Sequence, residues 1–185
     1  MVEVTRGTTT LLPALAAIPG HVLWRASARV GHLAEDVLPD DLDLTEYAVL
    51  HALPAGATAS QQAVADAVVV SRTTMTKVAA DLVAAGLLQR ARNAEDRRSY
   101  LLSRTLAATA ALDRWDADVA ALDAAVLAPF DDEEGARLVT LLTLLADDVL
   151  PAELPAAVRG SVALLLQRIH AWLYREFQEL LSPLG

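Results

Sequence analysis

The sequence has no cysteine. Disulfides, thiol-based redox sensing and thiolate metal sites are therefore excluded. Aromatic residues make up only 4% of the 185 positions, with eight glycines and eight prolines. No glycine-rich phosphate loop, Gly-x-Ser-x-Gly elbow or His-Glu-x-x-His helix occurs. The histidines are His21, His32, His51 and His170, and none lies four residues from another. Without that spacing no local metal motif forms. Aspartate and glutamate are abundant, yet nothing pairs them for acid/base work. The expectation is a protein that is not an enzyme and has no catalytic residue, metal or cofactor. Long apolar runs are also missing. Val162 to Leu166 is cut by Gln167 and Arg168, too short to cross a bilayer. No basic stretch followed by an apolar run opens the chain, so the sequence reads as cytoplasmic, with no membrane partner.

Positive charge is scarce as well. The net charge is -9, and Lys77 is the single lysine. Its distribution is uneven. Between Arg72 and Arg104 there are seven basic and three acidic residues, a net +4, which leaves -13 for the rest. Acid elsewhere keeps DNA from the wrong faces of such a molecule. The plain alternative is a solvated charged hairpin. What the sequence has in plenty is apolar residues, 54% with a mean hydropathy of +0.35, much of it alanine, which favours helix.

The cationic stretch sits in a recognisable pattern. Ser60 is a helix-capping type before Gln61-Gln62-Ala63-Val64-Ala65-Asp66-Ala67. Val68, Val69 and Val70 break the rhythm, Ser71 caps a second helix from Arg72 to Ala85, and Gly86 stops it. Leu87 to Arg90 and Ser99 to Leu102 are strand candidates around an arginine-rich tip, Ala91 to Arg98. Helix, turn, helix and charged hairpin predict a winged helix-turn-helix, a shape that sets a helix in the major groove of DNA.

These residues resemble the MarR family of bacterial transcriptional regulators. Leu44-Thr45-Glu46-Tyr47-Ala48-Val49-Leu50 is similar to the family's helix before the helix-turn-helix. Gly86-Leu87-Leu88-Gln89-Arg90 is similar to its helix-to-wing junction, Glu95-Asp96-Arg97-Arg98 to its wing signature, and Thr105 to the start of its next helix. Arg104, Ala108 and Asp43 depart from the family's usual Leu, Gly and Gly. The resemblance spans about residues 20 to 150. It implies a mainly α fold with a small β-hairpin wing and with N- and C-terminal dimerisation helices. It divides the chain into 1–43, an N-terminal part of the dimerisation region; 44–104, the DNA-binding winged helix; and 105–185, C-terminal dimerisation helices with an extra helix from about 160.

Along the chain, a short helix is expected over Leu11 to Ile18 and a longer one over His21 to Leu38. Thr45 is expected to cap the next helix and Thr105 a long one. Leu112, Trp115, Val119, Leu122 and Val126 form its apolar seam at alternating three and four. Asp131-Asp132-Glu133-Glu134 opens another helix, favoured at the positive end of its dipole, with the stripe Leu138, Leu141, Leu142, Leu145 and Val149. The last helix, about Gly160 to Leu181, is amphipathic and extends past the family's usual length. In the family such helices interlock between two subunits, a role expected here of the Leu112–Val126 seam and the last helix. Folding back onto their own chain is the alternative.

The expected partners are double-stranded DNA and a second copy of the chain, on a pseudo-palindromic operator, with the protein acting as a repressor. A winged-helix protein-interaction module without DNA binding is the alternative. The major-groove set is Ser71, Arg72, Thr73, Thr74, Thr76 and Lys77, at the start of the recognition helix. Met75, Val78 and Leu82 turn to the core. Arg97 and Arg98 are expected in the minor groove, and Arg90 and Arg92 at phosphates. By resemblance Asp96 orients the wing arginine. The family often binds small aromatic acids between the dimer helices and the DNA-binding lobe. That implies a ligand set of Trp24, Arg25, His32, Tyr47, His51 and Trp115, with core or surface roles as the alternative for each.

Overall fold

Side-chain caps decide where most helices of this protein begin. In the computed structural model, residues 18–181 are described, apart from 95, 97 and 98. Helix α1 (Pro19–Val37) starts with proline in its first turn and stops at Leu38, before Pro39, whose ring disfavours helix in the preceding residue. The short helix expected over Leu11 to Ile18 lies outside the described residues except for Ile18, which is extended. Helix α2 (Leu44–His51) is capped by Asp43, whose carboxylate accepts from the Thr45 and Glu46 amides at 2.7 and 3.0 Å. The cap is therefore Asp43 rather than Thr45. A carboxylate at that position satisfies two orphan amides and meets the positive end of the dipole.

Strand β1 (Ala59–Ser60) precedes α3 (Gln61–Ala67), where Ser60 Oγ accepts from Ala63 N. Helix α4 (Arg72–Ala84) is capped by Ser71 Oγ, which accepts from Thr74 N. Gly86 follows at φ +73°, a conformation that glycine adopts without penalty. Strands β2 (Leu88–Arg92) and β3 (Tyr100–Arg104) pair antiparallel, with Arg90 opposite Leu102 and Arg92 opposite Tyr100. β1 pairs with the other edge of β3, so the sheet has three strands in the order β1-β3-β2, where the sequence suggested two. Two residues are too few to show a strand period. Thr105 Oγ1 accepts from Ala108 N to cap α5 (Leu106–Leu127) and donates to Gly86 O at 2.9 Å. One hydroxyl thus fixes the exit of the wing to the end of α4.

Helix α6 (Asp132–Val149) opens on a reciprocal capping box between Asp131 and Glu134, which satisfies two orphan amides. The last helix is α8 (Val162–Leu181), close to the expected span, and a short helix α7 (Ala156–Arg159) precedes it across Gly160 and Ser161. Asp123 of α5 accepts from Ser161 Oγ and from Ala163 N, both at 2.9 Å, and so caps α8 from another element. Arg159 of α7 pairs with Asp147 of α6.

Packing corrects one expectation. Leu112, Trp115, Val119 and Leu122, expected to meet a second subunit, are buried within their own chain, where α5 packs on α1, α2 and α8. The first half of α8 is buried too, with Leu164, Leu165 and Ile169 in the core against α1, α5 and α6. Leu141 of the α6 stripe points outward. The extra helix therefore closes a helical layer in cis beneath the winged helix.

Candidate nucleic-acid interface

Helix α4 is held by one face and shows the other. Met75, Val78, Ala79 and Leu82 are buried, while Ser71, Arg72, Thr73, Thr74, Thr76 and Lys77 are exposed. The period of 3.6 makes this separation inevitable once the four apolar residues enter the core. The exposed residues differ in what they are bonded to. Ser71 Oγ and Thr74 Oγ1 lie 2.8 Å apart, joined in the cap. Thr76 Oγ1 donates to Arg72 O and accepts from Gln61 Nε2, which ties α4 to α3. Arg72, Thr73 and Lys77 extend from the same surface, without a side-chain hydrogen bond among the described residues.

The wing is organised by an aromatic residue that sequence reasoning passed over. The guanidinium of Arg90 stacks on Tyr100, 3.7 Å from the ring centroid, and that of Arg92 lies at 5.0 Å. Such cation–π contacts fix a guanidinium while leaving its charge intact. Arg90 is half-buried, and its Nε is buried with no hydrogen-bond partner. Of the two expected phosphate contacts, Arg92 is the exposed one. The signal was present as Tyr100 following the basic tip at the head of β3. The Asp96 carbonyl accepts from Ser99 N and Ser99 Oγ and closes the turn. Arg97 and Arg98 lie outside the described residues. Gln61, Gln62, Arg72, Ser99 and Tyr100 line one groove of about 230 Å³ between α3, α4 and the wing. Helix α4 and the wing thus share one concave surface.

The six residues of the expected ligand set are not gathered in the chain. Trp24, Arg25 and His32 line a shallow groove on α1 alone, and His32 lies 3.7 Å from Glu35. Tyr47 and Trp115 are core residues. Tyr47 OH donates to Asp116 Oδ1 at 2.8 Å, and His51 Nε2 lies 3.1 Å from the same oxygen. The two rings are 4.4 Å apart. Burial holds His51 below its ordinary value, against the pull of Asp116. Burial and the Asp116 carboxylate push the Tyr47 phenol up. This cluster joins α2 to α5. Its acceptor, Asp116, reads in the sequence only as one more acid on an acidic helix. Among the described residues no group of three potential ligands is placed to hold a metal, and no helix is long and apolar enough to cross a membrane.

The helix order, the three-stranded sheet and the wing fit one family. Residues 40–99 match the model of the MarR family. Over that span the chain carries a winged helix of the MarR family. Its structure is similar to the PcaV transcriptional regulator of Streptomyces coelicolor bound to its natural ligand, with a TM-score of 0.64 and 29% identity over 75% of this chain and 98% of that one. It is similar to a probable transcriptional regulator of Pseudomonas aeruginosa, at 0.63 and 27%, over 71% of this chain and 98% of the other. It is also similar to BpsR of Bordetella bronchiseptica, whose DNA binding is regulated by 6-hydroxynicotinic acid, at 0.62 and 26%, over 69% and 98%. No curated protein sequence matches. The matched residues run from α2 through β2, and β3 and α8 lie beyond them.

Proposed function

We propose that this MarR-family chain is a sequence-specific double-stranded DNA-binding regulator of transcription, a repressor that works as a homodimer on a pseudo-palindromic operator. One observation carries the reading: the buried Met75, Val78 and Leu82 present Arg72, Thr73, Thr76 and Lys77 outward, on the one cationic stretch of an acidic chain. Arg72 has the donors to pair with a guanine edge, and the threonines suit phosphate or a thymine methyl. Arg97 and Arg98 are assigned to the minor groove, Arg92 to phosphate, and Asp96 to orienting the wing. The second copy is assigned to the face of α6 where Leu141 and Leu144 are exposed. Apolar residues clustered on one helix face mark an interface more often than a solvated surface.

A small-molecule effector is part of the proposal, by analogy with PcaV and BpsR. A ligand releases DNA when it favours a separation of the two reading heads that no longer fits the operator. Selection of bound duplexes from a random pool tests the function. Enrichment of an inverted repeat is the expected result. Failure to enrich any duplex favours the protein-interaction alternative.

A further inference from the structure

Helix α3 ends at its C-cap, Val68, and carbonyls at a helix C-terminus have no partner within the helix. In the turn that follows, the amides of Val69 and Val70 donate back to Asp66 O and Ala65 O, at 3.2 and 3.0 Å. The Val68 carbonyl is satisfied from outside the winged helix. It accepts from Arg168 Nη1 of α8 at 3.1 Å. Among the described residues this is the hydrogen bond that joins α8 to the α3–α4 pair. Val69 sits at φ +56°, a conformation that β-branched residues rarely adopt, so the turn is held by its surroundings rather than by its own preference. Ser71 then caps α4, and the exposed Arg72 and Thr73 follow at once.

Arg168 is 5% exposed. Burial lowers its pKa to about 10, so it remains a cation at neutral pH. No carboxylate pairs with it among the described residues, and its Nε is buried with no hydrogen-bond partner. Asp43 supplies some compensating field. Desolvating a cation without a counter-ion is costly, and an apolar side chain of similar volume often serves stability as well or better. What an arginine adds here is a donor fixed on one carbonyl, the carbonyl that leads into α4.

We propose that Arg168 is a specificity-determining positioning residue: from α8 it fixes the turn that aims α4, and so makes α8 part of the DNA-reading head. This inference rests on the proposed DNA-binding function. Arg168 is buried and acts through Val68 O rather than on DNA itself. Base contacts depend on the angle and depth at which α4 enters the groove, whereas phosphate contacts carry no sequence information. Losing the grip therefore costs the selected duplex more than a scrambled one.

The test compares the full chain with its Arg168→Met and Arg168→Lys variants. Fluorescence anisotropy gives affinity for the selected and for a scrambled duplex. Arg168→Met is expected to weaken the selected duplex about tenfold, the scale of one base contact, and to leave the scrambled duplex nearly unchanged. Arg168→Lys keeps the charge and a donor on a shorter side chain, and loses less. Amide hydrogen exchange without DNA is the second arm. Val69 and Val70 should exchange faster in Arg168→Met, while Leu164 and Leu165 of α8 keep their protection. If Arg168→Met does not fold, Arg168→Lys decides, with a smaller selective loss expected. Equal losses on both duplexes, unchanged affinity in the variants that fold, a turn that exchanges as in the wild type, or equal acceleration through α8 overturns the proposal. If the wild type binds no duplex, the DNA reading fails, and the exchange arm still decides whether Arg168 holds the turn.

Discussion

Helices α5 and α6 carry similar apolar stripes and use them differently. In α5, Leu112, Trp115, Val119 and Leu122 all point into the core of their own chain. In α6, Leu142 and Ala146 do so, while Leu141 and Leu144 stand 56% and 62% exposed. A seam at alternating three and four shows that a helix has an apolar face, but not which chain covers it. The difference comes from neighbours: α5 runs between α1, α2 and α8, whereas α6 packs on α8 alone among the larger contacts. α6 has leucines on more than one face, and one core can take only one of them. Helix α4 is a third case, with a face left open that is polar and cationic.

The largest expected effect breaks or keeps the α5 side of this contrast. Leu122→Ala should lower unfolding free energy by ~2–5 kcal/mol, the cost of a cavity at a fully buried leucine. Urea unfolding should show the loss unchanged across protein concentrations. A loss that grows on dilution would return the α5 seam to a subunit interface.

The α6 side is probed by Leu144→Ala. Each leucine buried between copies contributes ~1.5–3 kcal/mol, so sedimentation should show weakened self-association while the protomer keeps its helical signal. A wild type that sediments as a monomer, or a variant as dimeric as the wild type, would remove the contrast. For α4, Arg72→Ala or Arg97→Ala should weaken duplex binding by ~1–3 kcal/mol with little change in stability. Fluorescence anisotropy against the selected duplex, alongside a melting curve, reads both.

The smallest effect is on pH. Burial lowers the folded pKa of His51, in the α2–α5 joint, and of His170, on α8. The unfolded chain therefore takes up these protons first. The stability they contribute is full above about 6.5, the ordinary histidine value, and is lost as the pH falls through it. His51→Gln should flatten the fall in urea midpoint below that pH. An unchanged profile would show that the α2–α5 joint does not titrate.

Local chemistry was legible in the sequence, and contacts across the chain were not. Ser60, Ser71 and Thr105 cap as expected because a cap needs only its own next three residues, and the acidic run at Asp131 opens α6. Gly86 likewise stops α4 by its own conformation. Asp43 displaced Thr45 because two capping types lay close together and only the packing of Leu44 decides between them. The face of α4 was legible from Met75, Val78 and Leu82. The stacking of Arg90 on Tyr100 depends on strand register, which a β3 running to Arg104 sets. The Asp123 cap of α8 and the grip of Arg168 on Val68 cross 40 and 100 residues, beyond any local pattern. The expected ligand set divides between a groove on α1, lined by Trp24, Arg25 and His32, and the α2–α5 joint, which holds Tyr47, His51 and Trp115, a division that no local pattern shows.

The account turns on an acidic protein engaging duplex DNA through two copies of one cationic surface. The salt dependence of binding to the selected duplex tests this most directly. The logarithm of affinity should fall linearly with the logarithm of salt, with a slope of about -4 or steeper, and Lys77→Ala should make it shallower by nearly two because a symmetric pair loses two phosphate contacts. A flat dependence, or a slope that Lys77→Ala leaves unchanged, would contradict the account.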